Sequence, residues 1–204
     1  MNLLITLIIA TALAPVAAID RAIGPASQDE GRDAVALGRT RDAAMYDAFH
    51  AGYQLAPSGD VERVEVITEF RRAVMIVRQH AEFGEYTFNE ANLARALAPF
   101  RGLVTFTAQL RVHPLNNLAM PPAFEMYVSS GPATPPIRST NFKREPVYPP
   151  GISGKHKSPA MTAFTLELTV PRADITAAAD PALVIVNDAG NPVWQAKLEL
   201  ARFR

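Results

Sequence analysis

Residues 103–112, LVTFTAQLRV, decide how the chain folds. Val104, Phe106, Ala108, Leu110 and Val112 alternate with Thr105, Thr107, Gln109 and Arg111. A period of two puts one set on each face of a pleated strand, one side apolar and the other wet. Three later stretches repeat the pattern. Phe124, Met126 and Val128 alternate with Glu125, Tyr127 and Ser129. Phe164, Leu166, Leu168 and Val170 alternate with Thr165, Glu167 and Thr169. Trp194, Ala196, Leu198 and Leu200 alternate with Gln195, Lys197 and Glu199. Residues 182–186, ALVIV, are apolar throughout, which predicts a central strand covered on both faces. Residues 187–192, NDAGNP, supply a turn into the last strand, with which the chain is expected to end.

Upstream of Gly102 the period is helical. Val61, Val64, Ile67, Phe70, Val74, Val77 and Ala81 recur at spacings of three and four. That predicts one amphipathic helix from about residue 61, capped by Asp60 and ended by Gly84 at C′. The competing reading is a short strand over 61–67, whose β-branched residues alternate with charge, followed by a helix capped by Thr68. The single helix is preferred because nothing breaks the spacing at Thr68 or Glu69. A shorter helix is predicted over 89–98, capped by Asn89 and stopped by Pro99. Residues 41–53 could form another, with Ala44, Met45, Phe49 and Tyr53 on one side, against the influence of Gly31, Gly38 and Gly52 in that region.

Five strands without helical crossovers between them predict an antiparallel arrangement. The fold class is therefore α+β: N-terminal helices packed on a C-terminal antiparallel sheet, or on a small immunoglobulin-like sandwich of about five strands. The expected divisions are a signal peptide over 1–18, a leader and weak helix over 19–59, a helical segment over 60–101 and a β domain over 102–204.

The signal reading rests on MNLLITLIIATALAPVAA, residues 1–18. An apolar run without charged side chains leads to Val16 and Ala18 at the −3 and −1 positions of a cleavage site after Ala18. The run is short for a membrane span, which needs about 20 apolar residues. The n-region has no Lys or Arg, so an uncleaved anchor is the alternative. These features predict a periplasmic or secreted protein without a stable membrane span after cleavage.

Composition narrows the chemistry. The 204 residues contain no Cys, which removes thiol catalysis, thiolate metal sites and disulfides. Twenty basic residues balance twenty acidic ones, so overall charge gives no argument for nucleic acid. The charge is uneven locally. Residues 131–160 hold seven of the seventeen prolines and a net charge of +4, from Arg138, Lys143, Arg144, Lys155 and Lys157 against Glu145. Phe142 and Tyr148 lie among them. No strand or helix pattern is visible in this segment, and loops that long inside a domain are usually functional or disordered. A stiff basic loop with aromatics could hold an envelope protein or an anionic glycan. The plainer reading is a proline-stiffened cover over a sheet edge.

Catalytic motifs fail on inspection. GISGK at 151–155 lacks the second Gly of a nucleophile elbow, and it lacks the first Gly and final Ser or Thr of a phosphate loop. His50, His80, His113 and His156 include no pair three or four apart, so no helix presents a His pair to a metal. His113, just before Pro114, reads as a surface or cap residue. Glu82, Glu85 and Glu90 cluster around a helix end and read as a solvated face. Glu69 and Arg72 read as a surface i,i+3 pair. Trp194 and the alternating Phe residues read as core.

The expected function is that of a non-enzymatic exported interaction protein, with no cofactor and no metal. Its expected contact surface is Arg138, Phe142, Lys143, Arg144, Tyr148, Lys155 and Lys157. The alternatives are a carboxylate-based hydrolase of envelope polymers, or a small-molecule carrier with an apolar cavity between helix and sheet.

Overall fold

A computed structural model describes residues 28–113, 120–131, 134–139, 141–148 and 161–203. The expected signal over 1–18, Lys155, Lys157 and His156 lie outside the described residues. Among those described the fold is α+β. The helices are α1 (Gln28–Gly38), α2 (Ala43–Ala51), α3 (Glu69–Glu82), α4 (Glu90–Leu97) and α5 (Arg172–Ala177). The strands are β1 (Gln54–Leu55), β2 (Val61–Ile67), β3 (Leu103–Arg111), β4 (Glu125–Ser129), β5 (Lys143–Val147), β6 (Ala163–Pro171), β7 (Ala182–Val186) and β8 (Pro192–Lys197). All pairings are antiparallel. One sheet runs β1-β2-β3-β6-β5 and the other β4-β7-β8.

The expected single helix from residue 61 is corrected: β2 comes first, and α3 starts at Glu69. A bulge explains the misleading spacing. Val61 pairs with Leu110 and Arg63 with Gln109, so Glu62 is an extra residue in the ladder. The insertion brings Val61 onto the same buried face as Val64, three residues on. Thr68 then ends the strand in extended backbone, and its hydroxyl accepts from the Arg71 amide at 3.3 Å, capping α3. Asp60 is no helix cap; its carbonyl accepts from the Arg111 amide.

The other expected helices hold. Asp42 caps α2 by accepting from the Met45 amide, and Asn89 caps α4 by accepting from the Asn92 amide. Gly84 follows α3 at φ +77, the left-handed backbone that suits a C′ glycine. After α4 the chain tightens into a 3-10 turn at Ala98–Phe100.

Two apolar clusters organise the structure. The larger collects Val64 and Val66 of β2, Phe106 and Leu110 of β3, and Leu166 and Leu168 of β6. Met126 and Val128 of β4, Leu183 and Ile185 of β7, Trp194 and Phe203 join them from the second sheet and its C-terminal side. Phe106, Leu166 and Leu198 are nearly inaccessible, as the alternation requires. The smaller cluster joins Ala34 of α1, Phe70, Ala73, Val74 and Val77 of α3, Phe88, and Leu93 and Leu97 of α4. β7 is buried along its whole length between β4 and β8. The last strand stops at Lys197, short of the expected end. Leu198 then bonds Pro181, and a 3-10 turn at Leu200–Arg202 delivers Phe203 to the core.

Within residues 131–160 the expectation is corrected for 134–139 and 141–148, while 149–160 lie outside the described residues. Ile137 exchanges both backbone hydrogen bonds with Val128 of β4, and β5 pairs along β6. Its described residues thus touch both sheets, Ile137 at β4 and β5 at the edge of the larger one.

Helices α1 and α3 approach closely at Gly38. A Cβ there would stand 2.7 Å from the Val77 Cβ and 2.8 Å from the Val74 carbonyl oxygen. Gly38→Ala is expected to lose about 1–3 kcal/mol by overpacking. Gly31→Ala on the same helix meets nothing within 4 Å, and should gain about 0.5–1 kcal/mol. Urea denaturation of the two variants checks both signs.

Candidate functional site

Where β2 passes into α3, Arg71 is buried at 3% side-chain exposure. Its position follows from the Thr68 cap, which starts the helix one turn earlier and aims residue 71 back along β2. Nη1 donates to the Val66 carbonyl at 2.9 Å, and Nη2 to the Glu65 carboxylate at 3.1 Å. Nε donates to His50 Nδ1 at 3.0 Å, and the guanidinium carbon stands 5.4 Å from the Tyr53 ring centre. One cation therefore ties together β2, α3, α2 and the turn after α2.

His50 completes this cluster from α2. Because Nδ1 accepts from Arg71, the neutral ring keeps its proton on Nε2. Nε2 is buried and has no hydrogen-bond partner among the described residues. Burial first, and the Arg71 charge second, push the His50 pKa below its ordinary value of 6.5, while Glu65 and Asp47 pull the other way. Tyr46 packs on the ring at 4.3 Å between centroids, and burial raises its phenol above the ordinary value. The Arg78 guanidinium covers the Tyr46 ring at 5.0 Å.

Beside this cluster lies a cleft of about 560 Å³. Its apolar walls are Ala36 and Leu37 from α1, Met45 and Phe49 from α2, Tyr53, and Phe70 from α3. Asp33, Thr40 and Arg202 add one acidic, one hydroxyl and one basic group. Arg202 is anchored by donating to the Gln54 carbonyl at 3.1 Å. Phe49 joins the cleft to the packing behind it, with Phe70 and Tyr53 edge-on at 5.8 and 5.1 Å. Tyr53 is shared: it lines the cleft and its ring stands against Arg71.

The expected contact residues sit elsewhere, and the structure joins each described cation to a partner. Arg138 pairs with the Glu125 carboxylate and covers the Tyr127 ring at 5.1 Å. Lys143 donates to Glu167 at 3.0 Å, and that bond raises its ammonium above the ordinary lysine range. Arg144 donates to the Phe124 carbonyl at 2.8 Å and stands 5.3 Å from the Phe142 ring. Phe142 is half-buried against the large core, and Tyr148 is exposed. Pro146 and the charges of β5 form an edge strand of the kind that resists further pairing.

Other charged residues are placed differently from their expected roles. Glu69 is buried rather than part of a surface pair. Arg72 reaches the Thr105 hydroxyl at 2.8 Å and covers the Phe100 ring at 4.1 Å; burial lowers its pKa. Glu82 accepts from Arg78 at 2.8 Å, and Glu85 meets His80 Nδ1 at 2.6 Å. Trp194 is core, as expected, with its indole N–H donating to the Ala56 carbonyl.

Sequence reading missed the Arg71–His50 cluster and the cleft. The available signal was the Thr68 cap, which fixes where residue 71 points. No protein-family model matches this chain, and a search of curated proteins also finds no match.

Arg71→Met removes the charge but keeps much of the side-chain volume. It leaves Glu65, the Val66 carbonyl and His50 without their shared donor, so it should cost about 3–5 kcal/mol. Chemical denaturation with two optical probes measures the loss.

Proposed function

We propose that this chain is an exported, non-enzymatic binding protein whose cleft beside α1 and α2 takes a small, largely apolar molecule. The observation that carries the reading is the cleft itself. Its volume of about 560 Å³ falls in the range of small-molecule sites. Its lining has the usual composition, an apolar majority with a few polar groups to orient the ligand. Phe49, Tyr53 and Phe70 offer aromatic surface, while Thr40, Asp33 and Arg202 can meet a polar end group. Export is supported by residues 1–18. Among the described residues, no helix is long and apolar enough to cross a membrane.

The basic segment over 131–160 serves in this reading as an edge cover. Partner bonds at Arg138, Lys143 and Arg144 support that role over capture of an envelope protein or an anionic glycan. The hydrolase alternative gains no support from Glu82 and Glu85, which are engaged by Arg78 and His80. We also read the two sheets as facing layers of a sandwich; their shared apolar cluster supports this.

Nile red, a neutral apolar fluorophore, tests the cleft at pH 8. The protein should bind it with a saturable rise in fluorescence. Met45→Arg puts a charge into an apolar wall, and Ala36→Trp fills space. Each should weaken binding about tenfold or more, the effect of losing about 1.4 kcal/mol. Arg138→Gln should leave binding unchanged. Equal affinity in all three variants would remove the cleft from the account.

A further inference from the structure

We propose that His50 is an acid-sensitive latch on this cleft: protonating its ring breaks the contact with Arg71, loosens α2 and releases the bound molecule. The inference rests on the cleft reading above and adds its regulation.

The geometry supplies the latch. Arg71 Nε–H points at His50 Nδ1 from 3.0 Å. A protonated imidazole carries N–H at both nitrogens, so donor would face donor and cation would face cation. Arg71 is held by Val66 and Glu65 inside the protein. The partner able to leave is therefore His50, on α2.

That helix is held lightly. None of its residues is fully buried. It rests on a strip of Tyr46, Phe49 and His50, laid against Phe70, Arg71 and Arg78. Segments with few buried contacts open first. The same helix supplies Met45 and Phe49 to the cleft, and Gly52 follows at its end. Detaching α2 therefore removes one wall of the site.

Among the described residues, the charged and titratable groups that act on or touch His50 come from three elements. Arg71 faces it from α3, Glu65 from β2, and Asp47 and Tyr46 from α2 itself. Tyr53 lies beyond, under Arg71. Glu65 and Asp47 favour the charged ring, whereas burial and Arg71 oppose it and prevail. The attached state therefore binds the proton less well than the detached state. Attachment of α2 is fully supported above pH 6.5, the ordinary histidine value, and is lost as pH falls through the depressed value.

Nile red titrations at pH 8 and pH 5 test the latch, since the probe stays neutral across that range. Wild-type affinity should fall about tenfold or more at pH 5, the effect of losing about 1.4 kcal/mol. His50→Asn should bind equally at both pH values, because its amide oxygen stands where Nδ1 does, can accept the same Arg71 N–H and does not titrate. Hydrogen exchange of residues 46–52 in the wild type, corrected for intrinsic rates, supplies a readout independent of the probe. Protection there should collapse at pH 5 while that of β7 persists. Unchanged α2 protection between the two pH values would overturn the latch, as would a His50→Asn variant with the wild-type pH profile. If Nile red binds at neither pH while α2 protection remains acid-labile, the latch stands and the cleft reading alone fails.

Discussion

The Arg71 guanidinium is the contact on which the arrangement around the cleft depends. A buried cation is costly unless its donors are used. Here the donors reach a backbone carbonyl of β2, a carboxylate of β2 and an imidazole of α2, and an aromatic ring lies alongside. The partners come from β2, from α2 and from the turn after it, so the cation links α2 to the junction of β2 and α3. The small apolar cluster then packs α1 and α4 onto α3. The cleft is lined by α1 and α2 together with Tyr53, Phe70 and Arg202.

The cation is in place because of a junction without a loop. Ile67 ends β2, Thr68 caps, and Glu69 opens α3. The apolar faces of strand and helix consequently serve different clusters: Val64 and Val66 go to the larger, Phe70 and Val74 to the smaller.

Much of the β-structure was legible in the residues. Residues 103–112 alternate cleanly because one face of β3 meets the core and the other meets polar groups. ALVIV is uniformly apolar because β7 is covered on both sides. The errors have local causes. At β2, the bulged Glu62 made strand residues recur at three, which imitates a helix face. At 131–160, edge strand β5 has no alternation, because charged and proline residues guard its edge. The cleft was not legible: its walls come from α1, α2, α3 and the C-terminal turn, and no local pattern records their convergence. His50 was visible only as an isolated histidine, since its partner lies 21 residues away. The basic contact surface was inferred from charge alone, and charge does not reveal that Glu125 and Glu167 lie opposite.

The coupling between His50 and Arg71 tests the central claim most directly. A double-mutant cycle with His50→Leu, Arg71→Met and the combined variant, read by urea denaturation at pH 8, isolates it from the burial each side chain contributes. If the guanidinium links α2 to the β2–α3 junction, the two losses will fall short of additivity by more than about 1 kcal/mol. Losses that add within about 0.3–0.5 kcal/mol would show the two residues to be independent, and the helical layer would have to be held by apolar packing alone.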